Sequence, residues 1–267
     1  MTTTTATPSS PHTLAALFAL TRRALDTCRR TPSLVVGPVM MSAFFLVIYN
    51  GQLAETAGVI VPDGSYVSFL LPLVLLTTAF SGGAIAGQLL LRDLDSRYHA
   101  CLALTPAKRG VLAAAPTLAG IIVITAQAVS MILLAWAMGL DHPHGIVGIG
   151  VVLGLTTVAG TGFLLLAATA ALVGRTVAAV SMVTYVFFPL SFLTTTLVPR
   201  EQLSGWMGVA ADLNPLTYLL GGMRDALSPG WSGTAFVRGG VAATLILALG
   251  LVAVSFGLRS SSEEVDR

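Results

Sequence analysis

Charge is scarce in this sequence. Only 10% of its 267 residues are Asp, Glu, Lys or Arg, against about 25% in an ordinary soluble domain. With 55% hydrophobic residues and a mean hydropathy of +0.85, the chain has too little polar surface to cover itself in water. Lipid must be its solvent over most of its area. In lipid the backbone satisfies its own N–H and C=O groups only as helices or as a closed barrel. Alternating segments of about ten residues, the mark of a barrel, are absent, which leaves helices.

Cysteine is equally rare. Cys28 and Cys101 are the only two, both in segments placed inside the cell, which excludes a disulfide framework and a paired-cysteine metal knuckle. Lysine occurs once, as Lys108, beside thirteen arginines. With the abundant Ala, Gly and Val, this points to a bacterium with a GC-rich genome. The opening MTTTTATPSSPH lacks the basic start, apolar core and cleavage site of a secretory signal, so residues 1–12 are expected as a disordered cytoplasmic tail.

Ionisable groups are missing where several membrane chemistries need them. Six charge-free stretches approach the roughly 20 residues that a span requires: 33–49, 65–91, 110–140, 145–174, 176–199 and 239–258. Ion-coupled carriers and proton pumps usually place carboxylates or histidines inside the membrane, so that class is disfavoured, although a Na⁺ site made of carbonyls and hydroxyls stays open. An intramembrane Ser–His hydrolase is disfavoured too. His12 and His99 lie in cytoplasmic segments, and His142 and His144 lie in a short outer loop on DHPH, where surface decoration outranks a metal. No GxxxxGK[ST] loop occurs, so the chain is not itself a P-loop ATPase. The clusters Ser81-Gly82-Gly83 and Gly160-Thr161-Gly162 fall inside apolar helices, where glycine permits close packing.

The basic residues that are present set an orientation, because Lys and Arg are retained on the cytoplasmic side. With the amino terminus inside, eleven lie inside (Arg22, Arg23, Arg29, Arg30, Arg92, Arg97, Lys108, Arg109, Arg175, Arg259, Arg267) and three outside (Arg200, Arg224, Arg238). Six spans put both termini in the cytoplasm. The expected fold is therefore an all-α integral membrane protein, with a six-span domain over 32–259 and a cytoplasmic tail over 260–267.

Three segments do not span. Over 13–31, Leu14, Leu17, Phe18, Ala24, Leu25 and Cys28 share one helical face, and Arg22, Arg23, Asp26, Arg29 and Arg30 share the other. This predicts an interfacial helix with its arginines toward anionic headgroups; a solvated helix with one sticky face is the alternative. The loop RDLDSRYHACLALTPAKR, 92–109, is longer than a connector needs to be. It mixes charge with apolar anchors, as a docking helix for a cytoplasmic partner would, the alternative being a solvated cap. On the outer side, Leu203, Trp206, Met207 and Ala210 recur at helical spacing. Asn214-Pro215 then interrupts, with Asn214 suited to cap a second helix that starts at Pro215. The result is two short helices forming a re-entrant hairpin, or an ordinary amphipathic loop.

Six spans, the amphipathic first helix, the charged loop and the stretch LVPREQLSGWMGVAADLNPLTYLLGGMRDAL, 197–227, resemble the ABC-2 type permeases. Within them the chain is most similar to the bacterial drug exporters typified by daunorubicin-resistance permeases, through Pro199, Trp206, Asn214-Pro215 and Arg224. The resemblance implies no enzymatic activity in this chain. It implies the permease subunit of an exporter for drug-like, lipid or other amphipathic cargo, paired with an identical or sister permease in the cell membrane. Two cytoplasmic ABC ATPases, which hold the ATP and Mg²⁺, would drive it. Arg92, Asp93, Asp95, Arg97 and Tyr98 would couple to the ATPase, helped by the first helix. Pro199, Trp206, Asn214, Pro215 and Arg224 would form the outer gate, with Arg224 equally placed to ion-pair with Asp212 or Glu201. Thr77, Thr78, Gln88, Gln127, Thr125 and Ser130 are candidates to line a path, or to tie helices together. Membrane lipids are expected partners and nucleic acid is not. A self-sufficient carrier or channel, and a non-transporting immunity or scaffold protein, are the competing readings.

Overall fold

The computed structural model describes residues 10–53, 65–95, 109–194 and 205–265. Among the described residues there are helices and no strands. In chain order they are α1 (Ser10–Arg30), α2 (Pro32–Leu53), α3 (Tyr66–Asp95), α4 (Arg109–Ala137), α5 (Gly145–Gly174), α6 (Val177–Phe192), α7 (Gly205–Leu213), α8 (Pro215–Leu227) and α9 (Thr234–Val265). Five of them, α2, α3, α4, α5 and α9, are long and apolar enough to cross a membrane.

Two helices stop short of the spans expected. The third span was predicted to run to residue 140, but α4 stops at Ala137 because Gly139 takes a φ of +91°. There the Leu140 N–H reaches the Ala135 carbonyl at 3.0 Å and the Gly139 N–H reaches that of Trp136 at 3.2 Å. This paired closure satisfies the last carbonyls and needs a left-handed residue that glycine supplies without strain. The fifth span was predicted over 176–199. Its described helix, α6, has 16 residues, about 24 Å at about 1.5 Å per residue, short of about 30 Å of hydrocarbon. Residues 195–204 lie outside the described residues. At its start Thr176 accepts the Ala179 N–H at 3.2 Å, a side-chain cap that begins α6 three residues after α5 ends.

Contacts give each helix a direction. Ser65, before α3, donates its N–H to Asp141, before α5, so α3 and α5 start at the same end. At the opposite end of α3, Asp93 meets Arg23 of α1. α9 runs parallel to α5, with Gly162 against Ile246 and Gly257 against Leu172. α6 turns back from the end of α5 and finishes beside Asn214. α1 and the far end of α9 thus share one end of the bundle, and α7 and α8 occupy the other.

α3 is the central post. Of its most apolar stretch 78% is buried, against 11% for α2 and 28% for α9, so the outer helices turn broad apolar faces outward. Phe80 of α3, Phe163 of α5 and Phe187 of α6 interlock, with ring centroids 4.4 and 4.6 Å apart on the two edge-to-face contacts to Phe163. The α5–α9 seam is closer still. A methyl group at Gly162 would come within 2.6 Å of the Ile246 carbonyl oxygen, and one at Gly250 within 2.6 Å of the Gly162 carbonyl. Both glycine clusters noted in the sequence lie at such crossings, Gly83 facing the backbone of Leu164.

Because the clash at this seam is with backbone, Gly162→Ala must separate two helices. It should cost about 1–3 kcal/mol and lower the melting temperature in detergent. Gly154→Ala, where nothing lies within 4 Å, should leave it unchanged.

Candidate functional site

The α1 end of the bundle gathers the charge. α1 packs through Thr21, Ala24 and Cys28, all buried, and Cys28 sits among Ile85 and Leu89 of α3 and Val123 of α4, with Leu25 packed alongside. Part of the apolar face expected to meet lipid has a protein partner instead, whereas Phe18 stays 71% exposed. Burial pushes the Cys28 thiol up, with nearby Arg92 pulling it the other way, so Cys28 is a packed apolar residue and a poor nucleophile. On the same helix Arg22, Arg23, Arg29 and Arg30 are exposed.

One ion pair ties α1 to the end of α3. Arg23 Nη2 lies 3.2 Å from Asp93 Oδ1, with side chains 44% and 35% exposed. At that exposure the pair contributes at most about 1 kcal/mol, and its consequence is geometric: it brings the first helix and the start of the charged loop onto one surface. Arg92 is exposed beside it. Asp95 ends α3, and Arg97 and Tyr98 lie outside the described residues. Sequence reading singled out both Arg23 and Asp93 but not their contact, since residues 70 positions apart leave no spacing signal.

The opposite end carries the short helices, and the two behave differently. α8 is inserted in the bundle, with Leu216, Leu219, Leu220, Met223 and Ala226 at 0% exposure. α7 faces outward through Trp206, Val209 and Leu213. Between them Asn214 is buried and makes three bonds. Its Oδ1 accepts the Leu216 N–H at 3.0 Å, and its Nδ2 donates to the carbonyls of Leu190 at 2.7 Å and Leu193 at 3.1 Å. One side chain therefore caps the start of α8 and the end of α6 together, satisfying groups that neither helix can satisfy alone. Pro215 occupies the first position of α8, where its missing N–H costs nothing. Pro199 lies outside the described residues.

Arg224 reaches across to α3. Its Nε donates to the Phe69 carbonyl at 3.1 Å, and its guanidinium carbon sits 3.6 Å from the centre of the Phe69 ring, a cation–π stack. Burial pushes its pKa down from the usual arginine range to about 9, with Tyr66 acting the other way. The sequence offered Asp212 and Glu201 as partners and could not reveal Phe69; Glu201 lies outside the described residues. Next to this cluster His144 Nε2 lies 2.9 Å from the Ser228 carbonyl and His142 Nδ1 3.0 Å from that of Leu140, so each ring is occupied by the backbone.

Within the membrane stretch, the residues proposed to line a path are tied between helices. Thr77 and Thr78 of α3 both lie 3.3 Å from Ser42 of α2, and each also donates to the Val74 carbonyl. Gln127 of α4, 2% exposed, donates from Nε2 to the Val35 carbonyl of α2 at 3.1 Å. Thr125 lies 3.5 Å from Thr157 of α5, and Ser130 donates to the Ala126 carbonyl. Gln88 is partly buried on α3. Thr77, Thr78, Thr125 and Gln127 thus tie neighbouring helices together, while Ser130 bonds within α4.

Residues 15–228 match the family model described as ABC-2 type transporter. No curated protein matches the chain.

Asn214→Ala removes a cap and strands two carbonyls. It should destabilise the protein by about 2–4 kcal/mol, read as a fall in melting temperature, whereas Trp206→Ala, on the outward face of α7, should shift it little.

Proposed function

The chain belongs to the ABC-2 type transporter family, and from that premise we propose that it is the permease subunit of an ATP-binding-cassette exporter for drug-like, lipid or other amphipathic cargo. In this reading it resides in a bacterial cell membrane and crosses it six times, α6 serving as the fifth crossing. The α1 end, with both termini, faces the cytoplasm. The antiparallel return of α6 to Asn214 supports an even number of crossings, and the eleven-to-three distribution of basic residues supports the direction.

The observation that carries the reading is the separation of charge from span. Over residues 32–53, 66–91, 110–137, 145–174, 177–192 and 239–258 the long helices and α6 hold no Asp, Glu, Lys, Arg or His, so these stretches offer no ionisable side chain to bind or relay a driving ion. The Arg23–Asp93 surface supplies a place where force from a cytoplasmic motor can enter. Two ABC ATPases with their ATP and Mg²⁺ dock there through Arg92, Asp93, Asp95, Arg97 and Tyr98. A second permease subunit, identical or a sister chain, completes the pathway. At the other end α7, α8 and the Asn214 clasp, with Pro199, Trp206, Pro215 and Arg224, form a re-entrant hairpin that gates the exit. Thr77, Thr78, Gln88 and Gln127 line the path in the conformation that opens it.

Asp93→Arg tests the coupling. The protein should keep its fold, since an exposed pair is worth at most about 1 kcal/mol. It should lose co-purification with the ATPase encoded beside it and that ATPase's stimulation. A folded Asp93→Arg protein that still binds and stimulates the ATPase would place coupling elsewhere.

A further inference from the structure

α1 carries a second feature, on the side away from the bundle. Ala19, Arg22, Arg23, Asp26, Thr27 and Arg30 recur every three or four positions and line a groove of about 360 Å³. The buried residues of α1, Thr21, Ala24 and Cys28, face the other way, so the apolar packing of α1 leaves the groove uncovered, while Arg23 at its wall pairs with Asp93 of α3. Three guanidinium groups against two carboxylates, Asp26 and the Asp93 that pairs with Arg23, leave it a net positive charge. Its far end, Arg30, lies two residues before the apolar span that begins at Pro32, which sets the groove at the level where the chain leaves the hydrocarbon. Phe18, 71% exposed, lies one turn from Arg22 and offers apolar surface at the groove's edge.

We propose that this groove binds the phosphate of an anionic phospholipid between Arg22, Arg23 and Arg30, and that the phosphate competes with Asp93 for Arg23. The proposal rests on reading the α1 end as the cytoplasmic one. Arginine is suited to the role because its planar fork meets phosphate oxygens two at a time. Each arginine near an anionic surface contributes about 1 kcal/mol. Arg23 is shared, since the side chain that completes the groove is also the one that pins α1 to α3. A bound lipid would loosen that pin, and the composition of the inner leaflet would thereby set how firmly the first helix is held beside the charged loop.

The test uses the full chain purified in neutral detergent without any partner, so its failure is distinguishable from failure of the transport reading. Short-chain phosphatidylglycerol, phosphatidylcholine of equal chain length and inorganic phosphate are titrated separately, with binding read by thermophoresis. Phosphatidylglycerol should bind best. The double variant Arg22→Ala with Arg30→Ala should weaken it about thirtyfold, and the corresponding lysine pair should weaken it less. Arg259→Ala, exposed at the end of α9, should leave it unchanged, and Asp93→Asn should tighten it by releasing Arg23. Equal binding of phosphatidylcholine, inorganic phosphate binding as tightly as the lipid, or equal loss in Arg259→Ala would each overturn the proposal. So would alanine variants that keep phosphatidylglycerol binding at full strength.

Discussion

Hydrocarbon gives two apolar helices no reason to prefer each other over lipid, so a membrane bundle must be held by close contact and by polar groups that would otherwise go unpaired. The α5–α9 seam meets this constraint with glycine: at Gly162 and Gly250 the backbones approach until a single methyl would collide with a carbonyl oxygen. The α2–α3–α4 side meets it with hydroxyls and one amide, Ser42 against Thr77 and Thr78 and Gln127 against Val35. The aromatic lock of Phe80, Phe163 and Phe187 fills the centre. α2, held by few ties and mostly facing outward, is the long helix with the least share in this core.

The same constraint sends charge to the two ends, and the ends are built differently. At the α8 end two polar side chains are tied internally, Asn214 capping two helices and Arg224 stacked on and bonded to Phe69, while Tyr66 Oη, Thr217 Oγ1 and Asp225 Oδ2 are buried with no hydrogen-bond partner among the described residues. Such a corner transmits displacement, because α6 cannot move at its end without disturbing α8. At the α1 end the arginines stay exposed and the Arg23–Asp93 pair is weak. A surface held loosely in this way can be rearranged by a partner or a lipid at small energetic cost.

Much of the architecture was legible because composition alone forces helices and because long charge-free runs mark where they cross. Asn214-Pro215 announced a cap, whereas the stop at Gly139 was not anticipated, the third span having been expected to run on to residue 140. Three features were not legible. Asn214 bonds to Leu190 and Leu193, Arg224 to Phe69, and Arg23 to Asp93; in each case the sequence shows one reaching side chain while the fold supplies its partner. The partition between α7, outside, and α8, plugged into the core, was equally hidden, since both carry apolar residues at helical spacing and only tertiary contact decides which stripe is buried. In Thr77, Thr78 and Gln127 the sequence showed polarity inside a membrane, and the structure bonds the two hydroxyls to Val74 and the Gln127 amide N–H to Val35, while Gln127 Oε1 is buried with no hydrogen-bond partner among the described residues.

The central claim is that this bundle has no energy source of its own and is driven from the α1 end. It is tested most directly by reconstituting the chain in sealed vesicles, with and without its partner ATPase, and following a fluorescent amphipathic cargo. The account predicts movement only when the ATPase and ATP are both present, and none under a proton or sodium gradient alone. Movement by the chain alone under an ion gradient would contradict it.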